Sequence, residues 1–233
     1  MNRKRFFTSI LFLFSFLACL QSQDYFRFRS NFTLKEISSV GDTLERRLII
    51  GTCTFDNKIN KLTYNLSFPH AEQWVIQDTF VYTLREGKLV ETTTAPYITE
   101  HSIFKMLLAQ SLNDFGLIKS GYKIESVKRL EDQVYITYLP PDEYLDALGP
   151  LVLIKEKKLL KGVIYYEPTG NMMFRQQLAD YQVIDGLPIP GELTHIVEKD
   201  GKSIKRILTF EDVIINEVGN DDLYDYPIPE LSQ

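Results

Sequence analysis

The sequence predicts a mainly β protein with a few helices, built on one long, strongly curved antiparallel sheet. Three observations predict it. Apolar and polar residues alternate with a period of two from Ser30 onward, tight-turn dipeptides recur at hairpin spacing, and only one long stretch carries the spacing of a helix. A period of two is what a half-buried strand requires, because successive side chains point to opposite faces.

The stretch Lys61 to Pro69 sets Leu62, Tyr64, Leu66 and Phe68 on one face against Thr63, Asn65 and Ser67 on the other. The next stretch puts Trp74, Ile76, Phe80, Tyr82 and Leu84 on one parity. Further strands are expected over 32–40, 44–55, 122–129, 132–139, 150–156, 159–167, 172–184, 191–199 and 203–215. Between them stand Glu86-Gly87-Lys88, Glu131-Asp132, Pro168-Thr169-Gly170-Asn171, Asp185-Gly186 and Asp200-Gly201-Lys202. Glycine and asparagine in such turns accept the positive φ that a tight hairpin demands. Hairpin after hairpin makes the sheet antiparallel. Such a sheet must bury one face, so it either closes on itself or forms a trough covered by helices.

The helical stretch runs from His101 to Asn113, with Ile103, Met106, Leu107 and Gln110, and alongside them Phe104, Leu108 and Leu112, at three-and-four spacing. Thr99 or Ser102 can cap its start. Its apolar side is wider than a narrow stripe, which suits a helix pressed onto a concave sheet or onto a ligand. A second short helical turn is expected after Pro140-Pro141, from Asp142 to Leu148.

The two ends differ from the body. Arg3, Lys4 and Arg5 precede an apolar run from Phe6 to Leu17, the pattern of an export signal that is too short for a comfortable membrane span. Two processing sites compete. Cleavage near Ser22 makes residues 1–22 the signal; cleavage after Ala18 leaves Cys19 as a lipidated first residue, against the bulk of Phe16 and Leu17. A single domain over 23–217 follows, then an acidic, proline-bearing tail over 218–233, expected to be extended or frayed. The formal net charge of −5 argues against a general affinity for nucleic acid. Cysteines are only Cys19 and Cys53, so the fold is expected to stand without disulfides, which suits bacterial export.

No arrangement for bond chemistry is apparent. His70, His101 and His195 sit in unrelated contexts, and neither HExxH nor CxxC occurs, so no metal or cofactor is expected. Ser102-Ile103-Phe104-Lys105 fits SxxK, but its companion motifs SDN and KTG are missing. The chain is therefore not expected to be an enzyme. What is abundant is aromatic: 15 Phe and 13 Tyr. Each of these packs a core or lines a cavity open to an apolar ligand. On strand parity the cavity lining would be Tyr64, Leu66, Phe68, Trp74, Ile76, Phe80 and Tyr82, with Phe104, Leu107 and Leu108 as a lid.

These residues resemble the LolA/LolB family of periplasmic lipoprotein carriers. The resemblance is carried by Gly51-Thr52-Cys53-Thr54-Phe55, then Lys61-Leu62-Thr63-Tyr64 with Pro69, then Trp74 to Tyr82. Late in the chain it is carried by Asp185-Gly186-Leu187-Pro188-Ile189-Pro190 and Val213-Ile214-Ile215-Asn216. It covers roughly residues 30–217 and implies an unclosed half-barrel with a helical lid over an apolar cavity for acyl chains. It departs from the family where Leu62 and Thr63 replace the usual arginine and where Asp78-Thr79 replaces Asp-Gly. Arg46 and Arg47 are the candidates for a lid-locking guanidinium. The resemblance also implies a monomer in the periplasm, or one lipid-anchored to the outer membrane, that takes lipoproteins or lipids from an inner-membrane donor to an outer-membrane acceptor. A membrane-anchored lipid or lipoprotein acceptor, or an envelope-sensing binding module of the same fold, is the alternative.

Overall fold

The computed structural model describes residues 25–41, 43–78, 80–94, 99–109, 114–199 and 201–229. The expected export signal and both expected fates of Cys19 lie outside the described residues.

Thirteen antiparallel strands form one sheet among the described residues. They are β1 (Arg27–Val40), β2 (Thr43–Asp56), β3 (Lys61–Phe68), β4 (Glu72–Gln77), β5 (Phe80–Arg85) and β6 (Lys88–Thr94), then β7 (Lys123–Leu130), β8 (Gln133–Leu139), β9 (Leu151–Glu156), β10 (Leu159–Tyr166), β11 (Met172–Ile184), β12 (Leu187–Lys199) and β13 (Lys202–Ile215). Their spatial order is β6-β5-β4-β3-β2-β1-β13-β12-β11-β10-β9-β8-β7. Two meanders are thus joined at the β1–β13 pair, and the sheet stays open, with β6 and β7 as its edges. The segment between those edges carries helix α1 (Thr99–Leu108), which packs on the concave face.

The turns follow the expected chemistry. Asp185 and Gly186 both have positive φ, 50° and 81°, and close β11 onto β12 through the Ile184–Leu187 pair. Glu86 and Gly87 do the same between β5 and β6. Curvature has a local cause at Gly51, where the register shifts between β2 and β3. A Cβ there would lie 2.1 Å from the Asn65 carbonyl oxygen, so only glycine allows the strands to approach.

Three expectations need correction. The stretch from Trp74 to Leu84 is two strands, because Asp78, at φ 56°, turns the chain after Gln77. Strand β6 went unread, since its buried Leu89 is followed by exposed Val90 and the polar run Glu91 to Thr94. The tail is not frayed up to Pro229. It forms a helical turn, α2 (Asp221–Tyr224), and docks on the convex face. Thr54 donates its hydroxyl to the Leu223 carbonyl, and Lys61 pairs with Asp225 at 2.6 Å. Tyr226 and Ile228 pack on Val75, Leu84 and Leu89. The expected turn at 142–148 is present as a 3-10 helix over Asp142–Tyr144, continued by Ala147 and Leu148 bonding back to Tyr144.

The main core lies on the concave face, between the sheet, α1 and the loop that follows it. Phe115 and Leu117 of that loop are buried there. No helix among the described residues is long and apolar enough to cross a membrane.

Candidate functional site

The site is built from strand parity. Inward-facing residues lie in rows across the sheet, because cross-strand partners share a face. The deepest row pairs Phe28 of β1 with Phe55 of β2, and Phe55 with Leu62 of β3. Further along the strands, Leu178, Leu193, Leu208, Leu34 and Ile49 are direct partners across β11, β12, β13, β1 and β2. The result is an apolar floor.

Helix α1 presses into that floor. Ile103, Phe104, Leu107 and Leu108 are each no more than 2% exposed. The Phe104 ring sits 4.6 Å from Phe28, 5.4 Å from Phe210 and 6.1 Å from Phe55, in tilted, edge-on and stacked contact respectively. Aromatic contacts of this kind add about 0.5–1.5 kcal/mol each beyond area burial. Phe104 therefore plugs an aromatic socket made by three strands.

The ten residues expected to line the cavity divide. Tyr64, Leu66 and Ile76 are buried in the main concave cluster with Phe104, Leu107 and Leu108, and Trp74 packs against it half-buried. Phe68, Phe80 and Tyr82 are not part of it. The two-residue turn pairs Gln77 with Phe80 and Ile76 with Val81, so the inward parity passes from even on β4 to odd on β5. Val81 thus takes the inward position, while Tyr82 joins the convex cluster under the tail and Phe80 is 42% exposed. Phe68 is turned outward by the register shift that pairs it with Ile50, and it is 47% exposed.

Arg46 and Arg47 are exposed near the start of β2. With Glu36, Ser38 and Glu45 they line an open groove of about 500 Å³. No hydrogen bond or ion pair joins either arginine to α1 among the described residues, which leave out the side chains of residues 99–102. The socket residues Phe28, Phe55 and Phe210 went unread. Phe28 lies between Arg27 and Arg29, which mask the alternation.

The electrostatics near this face are set by a few pairs. Burial alone would raise the Glu72 carboxyl, but hydrogen bonds from Arg85 and Trp74 outweigh it and hold it below the usual carboxylate range. Burial pushes up the thiol of Cys53 and the phenols of Tyr165 and Tyr181. Among the described residues no three His, Cys, Asp or Glu side chains gather as a metal-ligand set.

An unclosed antiparallel half-barrel with a helix seated in its concave face is a LolA-like fold. A LolA superfamily protein from Nitrosomonas europaea is similar in structure, with a TM-score of 0.53 over 88% of this chain and 91% of that one, at 11% identity. A DUF1329 family protein from Desulfovibrio piger gives 0.49, covering 94% and 97% at 10% identity. An outer membrane lipoprotein-sorting protein domain from Vibrio parahaemolyticus gives 0.45, covering 84% and 88% at 15% identity. At 11% identity the likeness to the Nitrosomonas europaea protein is one of fold. No family profile matches the sequence. No curated protein matches it either.

Proposed function

We propose that this chain binds acyl chains of lipids or lipoproteins on its concave face and carries them through the cell envelope, with α1 as a lid rather than a catalytic element. The observation that supports this reading is the socket of Phe28, Phe55 and Phe210, filled by the protein's own Phe104. An acyl chain and Phe104 compete for the same apolar surface. Each methylene that enters is worth ~0.8 kcal/mol, so a few of them offset the displaced ring contacts. Uptake then swings α1 outward, and release lets it fall back. The mechanism is an exchange of packing and breaks no bond.

The expected export signal and the LolA-like fold support a place in the periplasm or facing it. A lipidated Cys19 would instead suit an anchored acceptor or sensor, and the mass of the mature N-terminus distinguishes the two.

The test is to purify the full chain from its own host under mild conditions, extract it with solvent, and add a fluorescent acyl probe to the stripped protein. Co-purified lipid or saturable probe uptake is expected, with tighter uptake by Phe104→Ala because the competing plug is gone. A stripped protein that takes up no probe, as wild type or as Phe104→Ala, overturns the proposal.

A further inference from the structure

One row of the concave face breaks the apolar pattern. Next to the leucine row, the direct cross-strand partners are Arg47 of β2, Glu36 of β1, Arg206 of β13, His195 of β12 and Gln176 of β11. One step further along the strands the face turns apolar again at Phe174, Val197 and Ile204. On β11, β12 and β13 a polar band therefore lies between two apolar rows, while on β1 and β2 the next positions are Ser38 and Glu45 and the band opens into the rim.

The band is graded. Gln176 is only 6% exposed, and its side-chain oxygen is buried with no hydrogen-bond partner among the described residues. An amide oxygen taken from water and left unpaired costs stability, so such a group marks a place where a donor from elsewhere fits. His195 stacks on the Phe174 ring at 4.9 Å, and Phe174 stacks on Tyr165 at 4.1 Å, so an aromatic platform flanks the glutamine. Arg206 comes next, bonded through Nε to the Glu36 carboxylate at 2.6 Å, with its side chain 47% exposed. Beyond Glu36, Arg47 opens onto the 500 Å³ groove at the rim. Arg47 and Arg206 flank Glu36, and Glu45 lines the same groove, so the charges at the open end balance and the half-exposed Arg206 guanidinium is itself the group an anion would meet.

We propose that this band is the polar-group subsite of the trough. It takes an amphiphile whose acyl chain is joined through an amide or hydroxyl donor to a nearby anionic group. The chain lies along the leucine row, the N–H or O–H donates to Gln176, and the anion rests against Arg206. The inference rests on the acyl-binding reading and specifies which acyl compounds that trough prefers. It also explains why a buried amide is tolerated in an otherwise leucine-rich wall: an apolar residue there would bind any hydrocarbon without discrimination.

The experiment compares two probes on the full chain by calorimetry. N-lauroylglycine has the chain, the amide N–H and the carboxylate; methyl laurate has the chain and neither polar group. Wild type is expected to favour N-lauroylglycine by about tenfold, the discrimination typical of one well-placed buried hydrogen bond. In Gln176→Leu and in Arg206→Gln the ratio of the two affinities should fall towards one. Should Gln176→Leu fail to fold, Arg206→Gln at its half-exposed position carries the test alone. Equal affinity for the two probes in wild type, or a preference that survives in the folded variants, overturns the subsite while leaving the acyl trough standing. Binding of neither probe overturns the trough and the subsite together.

Discussion

Phe104 and Arg27 pack on opposite faces of the same sheet and hold them in different ways. Phe104 closes the concave socket by ring packing, with 1% of its surface exposed. Phe104→Ala should cost about 3–5 kcal/mol in urea unfolding of the ligand-free protein, the usual range for a buried phenylalanine. A loss below ~1 kcal/mol would mean that the ring adds little to the resting state. Arg27 works by charge on the convex side. It donates to Asp56 at 2.8 Å and to Asp221 at 2.7 Å, and its guanidinium lies 4.4 Å from the Tyr224 ring centre. Asp56 has a side chain only 5% exposed, so Arg27→Ala would leave a buried carboxylate without its cation and with only the Lys58 N–H to bond it, at about 3–5 kcal/mol. Asp221 is 76% exposed, and Asp221→Asn should cost below ~1 kcal/mol in the same unfolding assay. Equal losses from the two variants would place the anchor in the tail contact, not in the Arg27–Asp56 pair.

The docked tail is the element whose stability should answer to acid. Burial alone would raise the Glu217 carboxyl, but hydrogen bonds from Tyr224 and Asn220 and the pairing with Arg29 outweigh it and keep it low. A carboxylate depressed in the folded state contributes stability that is fully present above its unfolded pKa of about 4.3 and is lost as pH falls through the folded value. Glu217→Gln should therefore be less stable than wild type at pH 7, and the deficit should shrink as the pH falls from 4 to 3. Paired chemical denaturations at those pH values check this; a deficit independent of pH would exclude the ionised carboxylate as the cause. The β4–β5 hairpin shows a different element-scale effect. Its two-residue turn decides that Val81 faces the socket and Tyr82 the tail, whatever the relative hydrophobicity of the two.

At the scale of the molecule, the topology turns a simple meander into a trough. The pairing of β1 with β13 joins the two halves through an antiparallel ladder from Phe28–Ile215 to Val40–Lys202. Strands β6 and β7 end the sheet at opposite edges, and α1, which lies between them in the chain, packs on the concave side. Most strands were legible in the sequence, because alternation and Asp-Gly or Gly-Asn turns are local signals. The concave-facing parity was legible within a single strand, as for Tyr64 and Leu66, and was lost across the Asp78 turn, where parity depends on turn length. The socket and the polar band were not legible, since Phe28, Phe55 and Phe210, or Gln176, His195 and Arg206, become neighbours only through pairing between distant strands.

The sequence by itself determined that this chain is a curved antiparallel sheet with one substantial apolar helix, because period and turn chemistry act over a few residues. Only the tertiary structure decided which face is the floor, that the helix plugs it with Phe104, that the acidic tail braces the outside, and that one polar row crosses the leucine wall. Those features depend on register between strands far apart in the chain, and register is set by packing that no local segment contains.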